Sequence, residues 1–170
     1  MLSNLFSRRA FAGRFASLVS GLGLAAAASA AAEPAAEPKK TSGGVKKMDY
    51  DGKPAGTGFI TPIITFNDVI YIAGIGAHSH DQSEFPMDID THIKKVMEGV
   101  KHVVEVAGGT MESVLQLTVF LTKMDDYDAM NKVFKTYFPN GGPARTCVAV
   151  AALPGNSLVE INCTAAIVKK

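Results

Sequence analysis

The chain has 170 residues with 17 basic and 16 acidic side chains, and these charges are unevenly placed. Residues 1–32 carry three arginines and no acid, so the 138 residues that follow hold 14 basic and 16 acidic groups, a net charge of −2 with His neutral. That balance excludes a general attraction to nucleic acid or an anionic membrane, and the length suits one domain able to bury about two-thirds of its unfolded surface.

Arg8, Arg9 and Arg14 precede or open a weakly apolar Ala/Gly/Ser-rich run, Phe15 to Ala28, and Ala28-Ser29-Ala30 and Ala30-Ala31-Ala32 both suit a small-residue cleavage site. This order is that of an export signal over residues 1–32. Ser7-Arg8-Arg9-Ala10-Phe11 matches a twin-arginine motif, with Ala12-Gly13 where Leu-Lys is usual. A periplasmic or secreted protein is expected. An ordinary secretory signal and a mitochondrial transit peptide, also rich in Arg and Ser, are the alternatives. The apolar run is too short and diluted for a permanent membrane span. Residues 33–44, with two Glu-Pro pairs and Thr-Ser-Gly-Gly, read as a flexible linker to a domain over 45–170.

Within that domain a short strand is expected near Val45 to Tyr50. Phe59–Phe66 and Val69–Ile75 are β-rich and joined by Asn67-Asp68, a two-residue hairpin signal. His78–Met87 is a polar loop. Asp88–Ala107 is a helix with one apolar stripe (Ile89, Ile93, Val96, Val100, Val103, Ala107), stopped by Gly108-Gly109. Val114–Leu121 alternates as a strand. Asp125 or Asp126 caps a second helix to about Phe138, with Tyr127, Met130, Phe134 and Phe138 as its packing stripe. Strands at Ala144–Ala151 and Leu158–Val168, joined by the turn-forming Leu153-Pro154-Gly155-Asn156-Ser157, read as a closing β-hairpin. The order β-β-α-β-α-β-β gives an α+β fold, a mixed sheet with two helices on one face. The other face has no element left to cover it, so self-association is expected. There is no internal repeat at solenoid spacing.

Arg145 and Cys147 are two apart and share a strand face, where a lone cation needs an anionic partner. If Cys147 and Glu160 face one site, Cys163 faces the other way, so no Cys147–Cys163 disulfide is expected. His78-Ser79-His80-Asp81 could offer two metal ligands, with no firm third at fixed spacing and His92 only a candidate; a solvated loop is the preferred reading, with no metal.

The run Pro143-Ala144-Arg145-Thr146, then Leu153-Pro154, then Val159-Glu160-Ile161 resembles the signature of the RidA/YjgF (Rid) family, and weaker agreement extends from about Gly58 to the end. The resemblance implies a homotrimer with sites in clefts between subunits, and hydrolytic deamination of reactive 2-imino (enamine) acids to 2-keto acids and ammonia, without metal or organic cofactor. It implies that Arg145 grips the substrate carboxylate and that Glu160 positions water. Cys147, Asn131 and Gly74 match residues lining the cleft. Bland readings stand beside these: an Arg145–Glu160 ion pair, a plain buried Cys147, a helix-surface amide at Asn131. Ile60 and Ala73 fall where the family commonly has a tyrosine and a serine, so both pocket hydroxyls are missing. A non-catalytic binder of small carboxylates, or a protective trimer, is therefore the alternative. The family's suggested ribonuclease activity fits poorly with the acidic charge and the lack of a basic-aromatic patch.

Overall fold

In the computed structural model, residues 44–77 and 88–168 are described; the expected export signal, nearly all of the linker and the His78–Asp81 metal candidate lie outside them. The elements are β1 (Lys46–Met48), β2 (Ile63–Phe66), β3 (Val69–Gly76), α1 (Ile89–Val106), β4 (Val114–Leu121), α2 (Tyr127–Tyr137), β5 (Ala144–Ala149) and β6 (Val159–Ala166). Among these residues no helix is long and apolar enough to cross a membrane.

Helix α1 starts where Asp88 accepts the Thr91 N–H at 2.8 Å, a bond that also holds the Asp88 carboxyl below its usual range. It ends where Gly108 takes φ +92° and Gly109 N–H reaches the Val104 carbonyl at 2.9 Å. Its inward stripe, Ile93, Val96, Met97, Val100, Val103 and Val104, is buried. Strand β2 is shorter than expected. Pro62 has no N–H to give a ladder, and Phe59 ahead of it is fully out in solvent.

The six strands run β1-β2-β3-β6-β4-β5. All neighbours are antiparallel except β4 and β5, which are parallel and linked through α2. Alternation then decides the layers. Val159, Ile161, Cys163 and Ala165 of β6 and Leu117, Val119 and Leu121 of β4 are buried on the helix side. Each valine, leucine or isoleucine among them contributes about 1.5–3 kcal/mol by leaving water. The opposite face is bare in the single chain and exposes Phe66, Tyr71 and Val148.

The expected closing hairpin is corrected. The connector does turn, with Gly155 and Asn156 at φ +60° and +55°, but β5 and β6 are not neighbours. Strand β4 lies between them, with Arg145 beside Leu117 on one side and Cys163 beside Leu117 on the other. The β4-α2-β5 crossover leaves β5 at the sheet edge, and the fully alternating β6 takes the central slot, where both its edges and its apolar face are satisfied.

Candidate functional site

Arg145 is on β5 beside Leu117, so its side chain rises on the helix side and meets α2. Nη1 donates to Asn131 Oδ1 at 2.8 Å and touches Met130 Sδ at 3.9 Å; Nη2 donates to the Tyr127 hydroxyl at 3.2 Å. The guanidinium carbon lies 4.7 Å from the centre of the Phe134 ring and 5.6 Å from that of Tyr127. All these partners are neutral. Among the described residues Arg145 forms no ion pair, so the cation is oriented but its charge is unmatched.

Asn131 is thus a ligand of the arginine and not a free surface amide. Tyr127 and Phe134 were expected only as packing residues. Tyr127, Asn131 and Phe134 are four and three apart, which is one face of α2. That spacing is legible in the sequence, but the strand beneath it is not.

Cys147 pairs with Val119, so it shares the helix-side face with Arg145. Its thiol is pushed up by partial burial, partly offset by the neighbouring Arg145 charge. Cys163 is buried, and its thiol is pushed up to about 12. The expected opposition of the two cysteines is corrected: both point to the helix side. They are free thiols because β4 separates their strands. Two interstrand spacings are about 10 Å, beyond disulfide reach.

Glu160 is elsewhere. It pairs with Phe120 and Gly76 and rises on the bare face. It therefore faces away from Cys147 and Arg145, contrary to the expectation of one shared site. The rows of Arg145 (at Leu117) and Glu160 (at Phe120) are three steps apart along β4, about 10 Å. An ion pair between them within one chain is excluded by this geometry. The Glu160 carboxylate makes no hydrogen bond or ion pair among the described residues; it lies over Gly74. A Cβ at Gly74 would collide with Glu160 Oε1 and sit 2.8 Å from its Cδ. Gly74 and Ala73 lie where the β3–β6 register shifts between Ile72 and Ile75, and Ala73 N–H donates to the Pro62 carbonyl at 2.9 Å. Ile60 stands exposed ahead of β2.

His92, the candidate third metal ligand, is buried in α1, and its Nδ1 accepts the Leu158 N–H at 3.0 Å. No cluster of three or more metal-binding side chains occurs among the described residues.

The fold defines a class: a mixed sheet under two helices, here with an oriented arginine on one face and a carboxylate on the other. Residues 53–167 match the profile of the family described as Endoribonuclease L-PSP. The chain belongs to this family, which is the YjgF/Rid family. RidA from an Antarctic Psychrobacter is 30% identical with a TM-score of 0.63, covering 72% of this chain and 99% of that one. YyfA from Yersinia pestis, a Rid-family protein of unknown function, is 28% identical with a TM-score of 0.64, covering 73% and 100%. Escherichia coli TdcF, solved with bound serine, is 26% identical with a TM-score of 0.62, covering 71% and 97%.

Proposed function

We propose that this chain hydrolyses reactive 2-imino acids to 2-keto acids and ammonia, at a site completed between copies of itself. The observation that carries the reading is Arg145: a guanidinium oriented by Asn131, Tyr127 and Phe134 and without an anionic partner among the described residues. Such a fork takes a carboxylate through two parallel charge-assisted hydrogen bonds. The substrate's iminium carbon is already electrophilic. Water adds to it, the tetrahedral carbinolamine forms, and its C–N bond breaks as ammonia leaves with a proton. Glu160 orients that water, accepts its proton and passes it to the amine nitrogen, and the hydroxyl proton is lost to solvent as the C=O bond forms.

Because Arg145 and Glu160 rise on opposite faces, one ligand meets both only if a second copy brings its bare face to the first copy's β5 edge. A closed homotrimer does this three times over and covers the exposed Phe66, Tyr71 and Val148. Ile60 and Ala73 then enter the cleft without hydroxyls, giving a drier pocket than is usual in the family.

A second reading is a binder of small carboxylates that does not turn them over. The missing hydroxyls favour it, as does a relative solved with serine bound. The test adds the protein without residues 1–32 to an amino-acid oxidase that releases 2-imino acids and follows imine decay. Faster decay that vanishes in Arg145→Ala supports the enzyme. Unchanged decay with pyruvate binding supports the binder. A nucleolytic role has less support from a net charge of −2 beyond residue 32.

Export is also proposed, from the arginine pair and the Ala-x-Ala ends. Fractionation with N-terminal sequencing checks it: a mature start near residue 31 or 33 in the periplasm is expected, and retention in the cytoplasm by Arg8→Lys/Arg9→Lys marks the twin-arginine route.

A further inference from the structure

The pocket loses two hydroxyls at Ile60 and Ala73, yet the structure returns one from another element. Tyr127 opens α2, and its phenol oxygen accepts from Arg145 Nη2 at 3.2 Å. A phenol that accepts through its oxygen still has its own O–H to give. Asn131 differs: its Oδ1 already accepts from Nη1, which turns its oxygen toward the cation and away from any anion. Of the five guanidinium donors, one is spent on Asn131 and one on Tyr127, with a weak contact to the Met130 sulfur. The remaining donors are free to fork onto a carboxylate, and an anion held there lies beside the Tyr127 oxygen as well.

We propose that Tyr127 is a substrate-binding residue, donating its O–H to the carboxylate that Arg145 grips and so selecting a 2-keto or 2-imino acid in its anionic form. This rests on the reading of Arg145 as the carboxylate anchor. The arginine draws electron density from the phenol oxygen, which strengthens its O–H as a donor. The bond forms only when an anion arrives, so it favours the charged acid over its ester or amide, which offer a weaker acceptor. Among the described residues the Tyr127 hydroxyl makes no second hydrogen bond.

The test measures binding of pyruvate and of methyl pyruvate to the assembled protein, for the parent chain, Tyr127→Phe and Arg145→Ala. Phenylalanine keeps the ring beside the guanidinium, so folding is not at issue, and thermal unfolding checks this. Tyr127→Phe is expected to weaken pyruvate roughly tenfold, the size of one hydrogen bond to a charged group, and to leave methyl pyruvate unchanged. A merely structural role would move both ligands together, which overturns the proposal. Parent-like pyruvate binding in Tyr127→Phe, with binding lost in Arg145→Ala, overturns it while leaving the anchor intact. Parent-like binding in Arg145→Ala overturns the anchor and the proposal with it.

Discussion

The two faces of the sheet hold their functional groups in opposite ways. On the helix side, Arg145 is gripped by Asn131 and Tyr127 and lies against Phe134, so its position is set by its own chain. On the bare side, Glu160 makes no hydrogen bond or ion pair among the described residues and lies over Gly74. On the proposed function, this oriented cation and this carboxylate, which cannot meet within one chain, are two halves of one site. The cation's orientation is thus built into its own chain, and on the proposed function its charge balance is left to the ligand.

The largest effect should separate the halves chemically. Arg145→Ala removes the anchor and is expected to lower kcat/KM about 100-fold or more, about 3 kcal/mol for a lost charge-assisted fork. Arg145→Lys should recover little, because an ammonium cannot fork. Glu160→Gln keeps the shape and should lower kcat more than it raises KM. Equal KM effects from both substitutions would mean that both groups merely bind.

Mixing tests whether the halves come from different chains. Arg145→Ala and Glu160→Ala proteins, each inactive alone, are unfolded, mixed in equal amounts and refolded. In a randomly assembled ring each interface is intact when one chain keeps its arginine and the next its carboxylate, so about a quarter of parental activity should return. No recovery, with assembly confirmed by light scattering, would sink the shared site.

Gly74→Ala perturbs the carboxylate side alone. The added methyl meets the Glu160 carboxylate, the far end of a flexible side chain that can swing aside. Stability should change by about 1 kcal/mol or less. Displacing Glu160 by about an ångström should still cost activity roughly 10- to 100-fold, while pyruvate binding, an Arg145 property, stays near the parent value. A fall in unfolding temperature with parental turnover would reverse the assignment.

Much of this was readable in the chain. The i, i+3, i+4 stripe from Ile89 to Ala107 has the period of a buried helix face, and Gly108-Gly109 ends it where a left-handed residue is required. The alternation of β4 and β6 was equally plain. Adjacency was not. A Pro-Gly-Asn turn says that the chain reverses; it does not say which strand the returning segment joins. Strand β6 pairs with β3 and β4 because those partners bury its alternating face, a choice made by residues about 90 and 45 positions away. Once β4 is inserted, a parity argument drawn across a supposed hairpin reverses, which is why Cys147 and Cys163 share a face and Arg145 and Glu160 do not. Tyr127 was hidden for the same reason: its helix spacing is local, but the arginine beneath it arrives by the crossover.

The weakest predicted change lies in the helical layer, away from Arg145 and Glu160. Tyr137 donates its hydroxyl to Glu98 Oε1 at 2.6 Å, tying α2 to α1. Burial, and then the Glu98 carboxylate, push the phenol up from 10 to about 12. An acid whose pKa is raised by folding is favoured in its neutral form by the fold. Its stabilisation is complete below pH 10, where the phenol is neutral in both states, and is lost as pH rises through about 12. Tyr137→Phe should therefore show a flatter decline in its urea midpoint between pH 10 and 12 than the parent. The Cys163 thiol, also held near 12, acts equally in both proteins and cancels. Imine decay at neutral pH should be unchanged. Parallel alkaline declines would show that the Tyr137–Glu98 contact does not survive in solution, and that α1 and α2 are held by Val100, Val103, Met130 and their neighbours alone.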